Sequence, residues 1–138
     1  MADQLLNDIA AISGSALQAQ RERIKTIAEN VANAGTTPSV PGQRPYQRQI
    51  ITFKNVFDKA VGADTVKTNG VRKDPSDFVR KYDPSHPAAD AEGYVLTPNV
   101  NPLVEMMDMG DANRAYQANL GVIEASRTMV QHTLALLQ

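Results

Sequence analysis

The chain has no cysteine and no tryptophan among its 138 residues, and only three Phe and four Tyr. Without cysteine there is no disulfide, no thiolate metal site and no thiol nucleophile. So few aromatic side chains exclude a large aromatic core. No apolar run approaches the roughly 18 residues of a membrane span. Asp3 and Asp8 stand where a secretory signal carries Lys or Arg, so export, if it occurs, is expected without a cleaved signal.

Signatures of catalysis are missing too. His86 and His132 lie too far apart for a local ligand spacing, no His-Glu-x-x-His occurs, and no glycine-rich phosphate cradle precedes a helix. The serines at 13, 15, 39, 76, 85 and 126 have no neighbouring base in an elbow motif. Asp83, His86, Asp90 and Glu92 suggest a hard-metal cluster only until their register is compared with a Ca²⁺ loop, which they do not match; turn-capping groups are the better reading. No catalytic, cofactor-binding or metal-ligating residue is therefore assigned, and neither a cofactor nor a small-molecule substrate is expected.

The net charge of −1 hides an uneven distribution. Residues 42–82 carry nine Lys/Arg against four Asp/Glu, while residues 83–138 carry two against seven. The basic middle lacks the aromatic platforms and recognition motifs of nucleic-acid binders, so no nucleic-acid partner is expected. It reads as a solvated face, or as a surface complementary to an acidic neighbour such as the C-terminal region of another copy.

What the chain does have is a long helical pattern at each end. Between Asp3 and Ala34, residues Leu6, Ala10, Ser13, Leu17, Gln20, Ile24, Ile27, Val31 and Ala34 recur at about half-heptad spacing, with Gly14 as a weak point. Gly35 is expected to supply a left-handed residue after the last turn, and Pro38 prevents continuation. Asn101 followed by Pro102 opens a second helix, whose stripe runs through Ala112, Tyr116, Asn119/Leu120, Ile123, Ser126/Arg127, Val130, Thr133/Leu134 and Leu137. Met106, Met107 and Met109 at its start read as core filler or a subunit contact.

Between the helices lie prolines at 38, 41 and 45, a strand candidate over Tyr46–Phe53, and a hairpin expected at Asn69-Gly70 between Val66-Lys67-Thr68 and Val71-Arg72-Lys73. Tyr82–Pro98 reads as ordered loop with a short strand near Gly93–Leu96. The expected fold is mainly α with a small β region. An N-terminal helix (1–35) and a C-terminal helix (101–138) pair as a coiled-coil-like core unit, and a proline-rich segment with a small β domain (36–100) lies between them. Leu17, Ile24, Ile27, Val31, Tyr116, Leu120, Ile123, Val130, Leu134 and Leu137 are the candidate subunit-interface residues. Neither stripe is self-sufficient, so each is expected to need a partner helix.

Two stretches resemble a known family. Ala28-Glu29-Asn30-Val31-Ala32-Asn33-Ala34-Gly35-Thr36-Thr37-Pro38 is similar to the Asn-rich signature closing the N-terminal helix of bacterial flagellar rod and hook axial proteins. Tyr82-Asp83-Pro84-Ser85-His86-Pro87-Ala88-Ala89-Asp90, Gly93-Tyr94-Val95, Pro98-Asn99-Val100-Asn101, Glu105-Met106-Met107-Asp108-Met109 and Arg114-Ala115-Tyr116-Gln117-Ala118-Asn119 resemble the C-terminal half of a proximal-rod member. The matching positions are Asn30, Asn33, Pro84, His86, Pro87, Asp90, Gly93, Tyr94, Pro98, Asn99, Arg114, Tyr116 and Gln117.

The resemblance implies a structural subunit of the periplasmic rod, exported unprocessed. Its implied partners are other rod proteins, the rod-base adapter, the flagellar export apparatus and copies of itself. A peripheral membrane-binding amphipathic helical protein is the alternative, and the modest positive charge of the helical ends weighs against it.

Overall fold

The computed structural model describes residues 2–136. Helix α1 runs Ala2–Asn33, strands β1 Gln49–Asp58, β2 Ala63–Lys73, β3 Val79–Tyr82 and β4 Tyr94–Thr97 follow, and helix α2 spans Pro102–Leu136. β1 pairs with β2 and β3 with β4, each couple forming its own two-stranded sheet. In the second, Val79 lies opposite Thr97 and Tyr82 opposite Tyr94, in antiparallel register.

The boundaries have local causes. Gly14 does not interrupt α1, because one glycine costs a helix only about 1 kcal/mol and the flanking seam residues continue the pattern. Gly35 does not take the expected left-handed conformation. Instead Ala34 N–H donates to Val31 O (3.2 Å) and Thr36 N–H to Asn33 O (3.1 Å), so tight i to i−3 turns close the helix. At the start of α2, Asn101 Oδ1 accepts from the N–H groups of Leu103 (3.1 Å) and Val104 (3.4 Å), the expected cap.

The first hairpin is not where the sequence suggests. Asn69-Gly70 lies inside β2, and the chain reverses between Asp58 and Ala63. Asp58 O accepts from Gly62 N–H (2.8 Å), Asp58 Oδ1 accepts from Ala60 N–H (2.9 Å), and Gly62 supplies a φ of 70°. An Asx-type turn with a left-handed glycine thus prevails over the Asn-Gly pair. Val66 N–H donating to Ser15 Oγ (3.1 Å) and Thr68 Oγ1 donating to Glu22 Oε2 (2.6 Å) tie the first part of β2 to α1, and Gly70 keeps a φ of 79° within the strand.

The chain folds as two units: Met1–Ile24, Thr52–Gly70 and Gly110–Gln138 form one, Lys25–Ile51 and Val71–Met109 the other. In the first, α1 and α2 line the same clefts in opposite chain order. One of about 170 Å³ is lined by Gly14, Leu17, Gln18, Arg21 and Tyr116, and another of about 250 Å³ by Leu6, Asn7, Ala10, Ile123, Ser126 and Arg127. In the second, the loop between β3 and β4 folds on itself: Asp83 N–H donates to Gly93 O (2.9 Å), Asp90 N–H to Tyr94 O (2.8 Å) and Gly93 N–H to Asp90 O (3.0 Å).

Gly93 has a φ of 84°, and a Cβ there would sit 3.0 Å from the Tyr82 ring and 3.1 Å from Pro84 Cβ. Gly93→Ala is expected to destabilise the chain by about 1–3 kcal/mol, read from the urea midpoint. An unchanged midpoint would exclude this backbone geometry.

Among the described residues the buried apolar set is small: Ala19, Ile27, Ala88, Val95 and Ala112. Six polar residues are equally buried, Ser13, Thr26, Asn30, Thr65, Glu105 and Ser126. Among the described residues polar groups thus make up a large share of the interior, and its coherence depends on how those polar groups are satisfied.

Candidate assembly interface

Asn30 is fully buried, and it uses all of its amide. Its Nδ2 donates to Gln49 O (2.9 Å) and to Glu105 Oε2 (3.0 Å), while its Oδ1 accepts from Tyr46 Oη (2.9 Å) and from Gln49 N–H (2.9 Å). One side chain near the end of α1 thereby ties down the entry to β1 and the first turn of α2. Burial, then the charge of Glu29, pushes the Tyr46 hydroxyl above its ordinary pKa, with Glu105 adding to the effect, so it remains a donor.

Glu105, 1% exposed, gives its other oxygen to Arg48 Nε at 2.5 Å. The same guanidinium reaches Asp74 Oδ2 (3.1 Å) and, more loosely, Asp108 Oδ2 (3.9 Å). Burial pulls the Arg48 pKa down, and hydrogen bonds to Glu105 and Asp74 more than offset it. Asn99 closes the far side: its Oδ1 accepts from Arg48 N–H (2.8 Å), and its Nδ2 donates to Ser76 O (3.0 Å) and Ser76 Oγ (2.8 Å). Gln47 Nε2 adds a bond to Asp74 O (2.7 Å). All of these groups belong to the second unit.

The polar clamp turns the start of α2 inside out. With Glu105 facing inward, Leu103 is 69% exposed, Met106 63% and Met107 65%, with Val104 exposed beside them. Met106 and Met107 are therefore not core filler of their own subunit, because the buried carboxylate takes the inward position; Met109 is half-buried. Of the sequence-derived interface residues, Ile27 is buried, Leu17, Ile24, Val31, Tyr116, Ile123 and Val130 are half-buried, and Leu120 is exposed. Leu137 and the side chain of Leu134 lie outside the described residues.

The family-motif positions fall into three groups. Asn30 and Asn99 belong to the clamp. Pro84, His86, Asp90, Gly93 and Tyr94 shape the loop between β3 and β4: His86 Nδ1 accepts from Ala88 N–H (3.1 Å), His86 Nε2 lies 3.1 Å from Thr37 Oγ1, and Tyr94 packs edge-on against Tyr82 with centroids 5.2 Å apart. Asn33 bonds back to Glu29 O (2.8 Å), Pro98 is buried, Pro87 and Gln117 are exposed, Arg114 pairs with Asp111, and Tyr116 lines a cleft. Sequence reasoning gave no buried role to Arg48, Glu105, Asp74 or Tyr46, because polar partners far apart in the chain leave no periodic signal.

The backbone N–H of Ser76 first, then its side chain, and Arg48 hold the Asp74 carboxyl below its ordinary pKa; the Tyr94 N–H, then the Glu92 N–H and Arg80, do the same for Asp90. Both groups favour the folded state above the unfolded aspartate pKa, and that contribution is lost as pH falls through their lowered values. Urea midpoints are expected to be flat through neutral pH and to drop in the acid range below the ordinary aspartate value. A midpoint that rises there would exclude these pairings.

Among the described residues no helix is long and apolar enough to cross a membrane. Family models for "Flagella basal body rod protein" and "Flagellar basal body rod FlgEFG protein C-terminal" match residues 11–38 and 91–136. The flagellar basal-body rod protein FlgC of Agrobacterium fabrum is 45% identical over 133 residues, covering 96% of each chain. The chain belongs to the FlgC family. FlgC of Salmonella typhimurium is 40% identical over 136 residues, and that of Bacillus subtilis 36% over 140, again covering more than nine-tenths of each chain. As a member of the FlgC family, this chain is a structural subunit of the flagellar basal-body rod. The FlgC motif residues Asn30 and Asn99 meet in the clamp around Arg48 and Glu105, so part of the family signature encodes internal geometry.

Proposed function

We propose that this chain occupies the proximal rod and assembles with copies of itself and other rod proteins into the hollow shaft that transmits torque and encloses the export path. The observation that carries this reading is the start of α2, where a carboxylate is buried and four apolar side chains face outward. Such a surface is unfavourable in water and is completed by a neighbouring subunit.

In this reading the terminal helices, residues 1–35 and 101–138, pack in a coiled-coil-like manner with those of neighbours, and residues 36–100 form a separate outer portion. The half-buried residues Leu17, Ile24, Val31, Tyr116, Ile123 and Val130, together with Leu120, Leu134 and Leu137, become buried on assembly. Close packing of many helices side by side then makes the shaft stiff, because bending disturbs many contacts together. The subunit travels through the flagellar export apparatus with its N-terminus uncleaved, joins the periplasmic rod and meets the rod-base adapter. Its role is mechanical, without catalysis.

Leu103→Asp combined with Met107→Asp tests this. Two charges placed in a contact that becomes desolvated cost several kcal/mol. Swimming in soft agar is expected to be abolished while the purified chain keeps its helical signal. Normal swimming, with the doubly substituted chain found in isolated basal bodies, would remove this surface from the assembly.

A further inference from the structure

We propose that Asn69 is a site of spontaneous covalent modification in the folded chain: its side-chain amide becomes a carboxylate through a cyclic imide closed by the backbone nitrogen of Gly70. This chemistry is independent of the rod reading and falls on the Asn-Gly pair that the first hairpin leaves unused.

Ring closure needs a side-chain amide free to rotate and a following nitrogen that no Cβ crowds. Of the asparagines in the chain, only Asn69 precedes a glycine. The side chains of Asn30, Asn33, Asn99, Asn101 and Asn119 are held by hydrogen bonds. Asn7, Asn55 and Asn113 are followed by Asp8, Val56 and Arg114, whose side chains crowd the attacking nitrogen. Among the described residues no hydrogen bond holds the Asn69 side chain, and Asn69 and Gly70 are both exposed. The side-chain bonds from β2 to α1 end at Thr68. Gly70 has a φ of 79°, outside the extended range, and a Cβ built there would meet nothing within 4 Å. The pair therefore sits at an open bend in β2, where the Asn69 side chain has room to fold back onto the Gly70 nitrogen.

The deprotonated Gly70 nitrogen attacks Asn69 Cγ. The bond from Cγ to the side-chain nitrogen breaks, and that nitrogen takes up protons from solvent and leaves as ammonia. Water then opens the imide. Attack at Cγ gives aspartate, and attack at the main-chain carbonyl carbon gives isoaspartate, in which the backbone runs through Cβ and Cγ. No oxidant or reductant is consumed. Either product adds one negative charge to a chain whose net charge is −1, close in sequence to the exposed Lys67, Arg72 and Lys73. Isoaspartate also lengthens the main chain of β2 by one carbon, which disturbs its pairing with β1.

The test holds the purified full-length chain in mildly alkaline buffer at growth temperature, beside a sample in urea, and maps peptides over time by mass spectrometry with isoaspartyl residues marked by enzymatic methylation. In native buffer the peptide containing Asn69 is expected to gain aspartyl and isoaspartyl forms, faster as pH rises, while the peptides containing Asn55 and Asn113 keep their amides. Asn69→Gln requires a larger ring and is expected to abolish that signal; because it alters only an exposed side chain, the helical signal stays unchanged. Conversion of Asn69 in urea alone, or in neither sample, overturns the proposal, since folded β2 would then protect the amide or the pair would not react. Equal conversion at Asn55 or Asn113 in native buffer overturns it too, since the bend at Gly70 would then contribute nothing.

Discussion

Glu105→Ala is expected to lower the unfolding free energy by about 3 kcal/mol, measured by urea denaturation. Breaking a buried ion pair by removing one partner costs about 3–5 kcal/mol, most of it from the charge left behind. Here the lower end applies, because Arg48 keeps Asp74 at 3.1 Å and Asn30 keeps the Gln49 carbonyl. Glu105→Gln retains the shape and one acceptor, so a loss of about 1–2 kcal/mol is expected from the weakened hydrogen bonds. The ordering of the two variants matters as much as their size. Equal losses would mean that side-chain volume, not charge, holds this position; no loss in either would mean that Arg48 and Glu105 do not meet in solution.

Asn30→Asp is expected to be more damaging at neutral pH and to respond to acid in the opposite direction from the parent. The substitution replaces a donor by an oxygen that faces the Gln49 carbonyl and the Glu105 carboxylate, 2.9 and 3.0 Å from the present nitrogen. Two bonds are lost and two carboxylates confront each other in a buried site, a cost of roughly 3–5 kcal/mol. Protonating the new carboxyl restores a donor and removes the repulsion, so its folded pKa is raised above its unfolded value. Stability of the variant therefore rises as pH falls through that raised pKa, before the Asp74 and Asp90 contributions are lost at lower pH. Urea midpoints measured across the acid range check this, and a variant curve parallel to the parent's would place residue 30 in solvent.

Local signals carried the helices. The seam from Leu6 to Val31, the Asn101-Pro102 start and the Gly93-Tyr94 strand each depend on residues within a few positions of one another, and each lies within a residue or two of its expected place. The first hairpin failed for a reason of the same scale: Asn69-Gly70 has the stronger dipeptide, but the contacts of Val66 and Thr68 to α1 are tertiary and invisible to a local pattern. The resemblance to axial proteins marked Asn30 and Asn99 without giving them a role. Glu105 lies 75 residues from its partner Asn30, and Arg48 and Asp74 lie 51 and 25 residues from their partner Asn99, and no periodicity links such positions. Glu105 even reads as an exposed first-turn acid favoured by the helix dipole, which conceals its burial.

The same separations set an order of events. Asn30 reaches Gln49 across 19 residues and Glu105 across 75, and the longer closure costs about 1.2 kcal/mol more by chain entropy alone. In a chain that emerges N-terminus first, the Asn30 amide stays half-engaged until the beginning of α2 arrives. That arrival completes the amide's bonding and, in the same step, turns Leu103 and Met107 outward. On the proposed assembly reading, folding and competence to polymerise are then a single event: a chain cut short before residue 105 lacks both the latch and the surface it exposes.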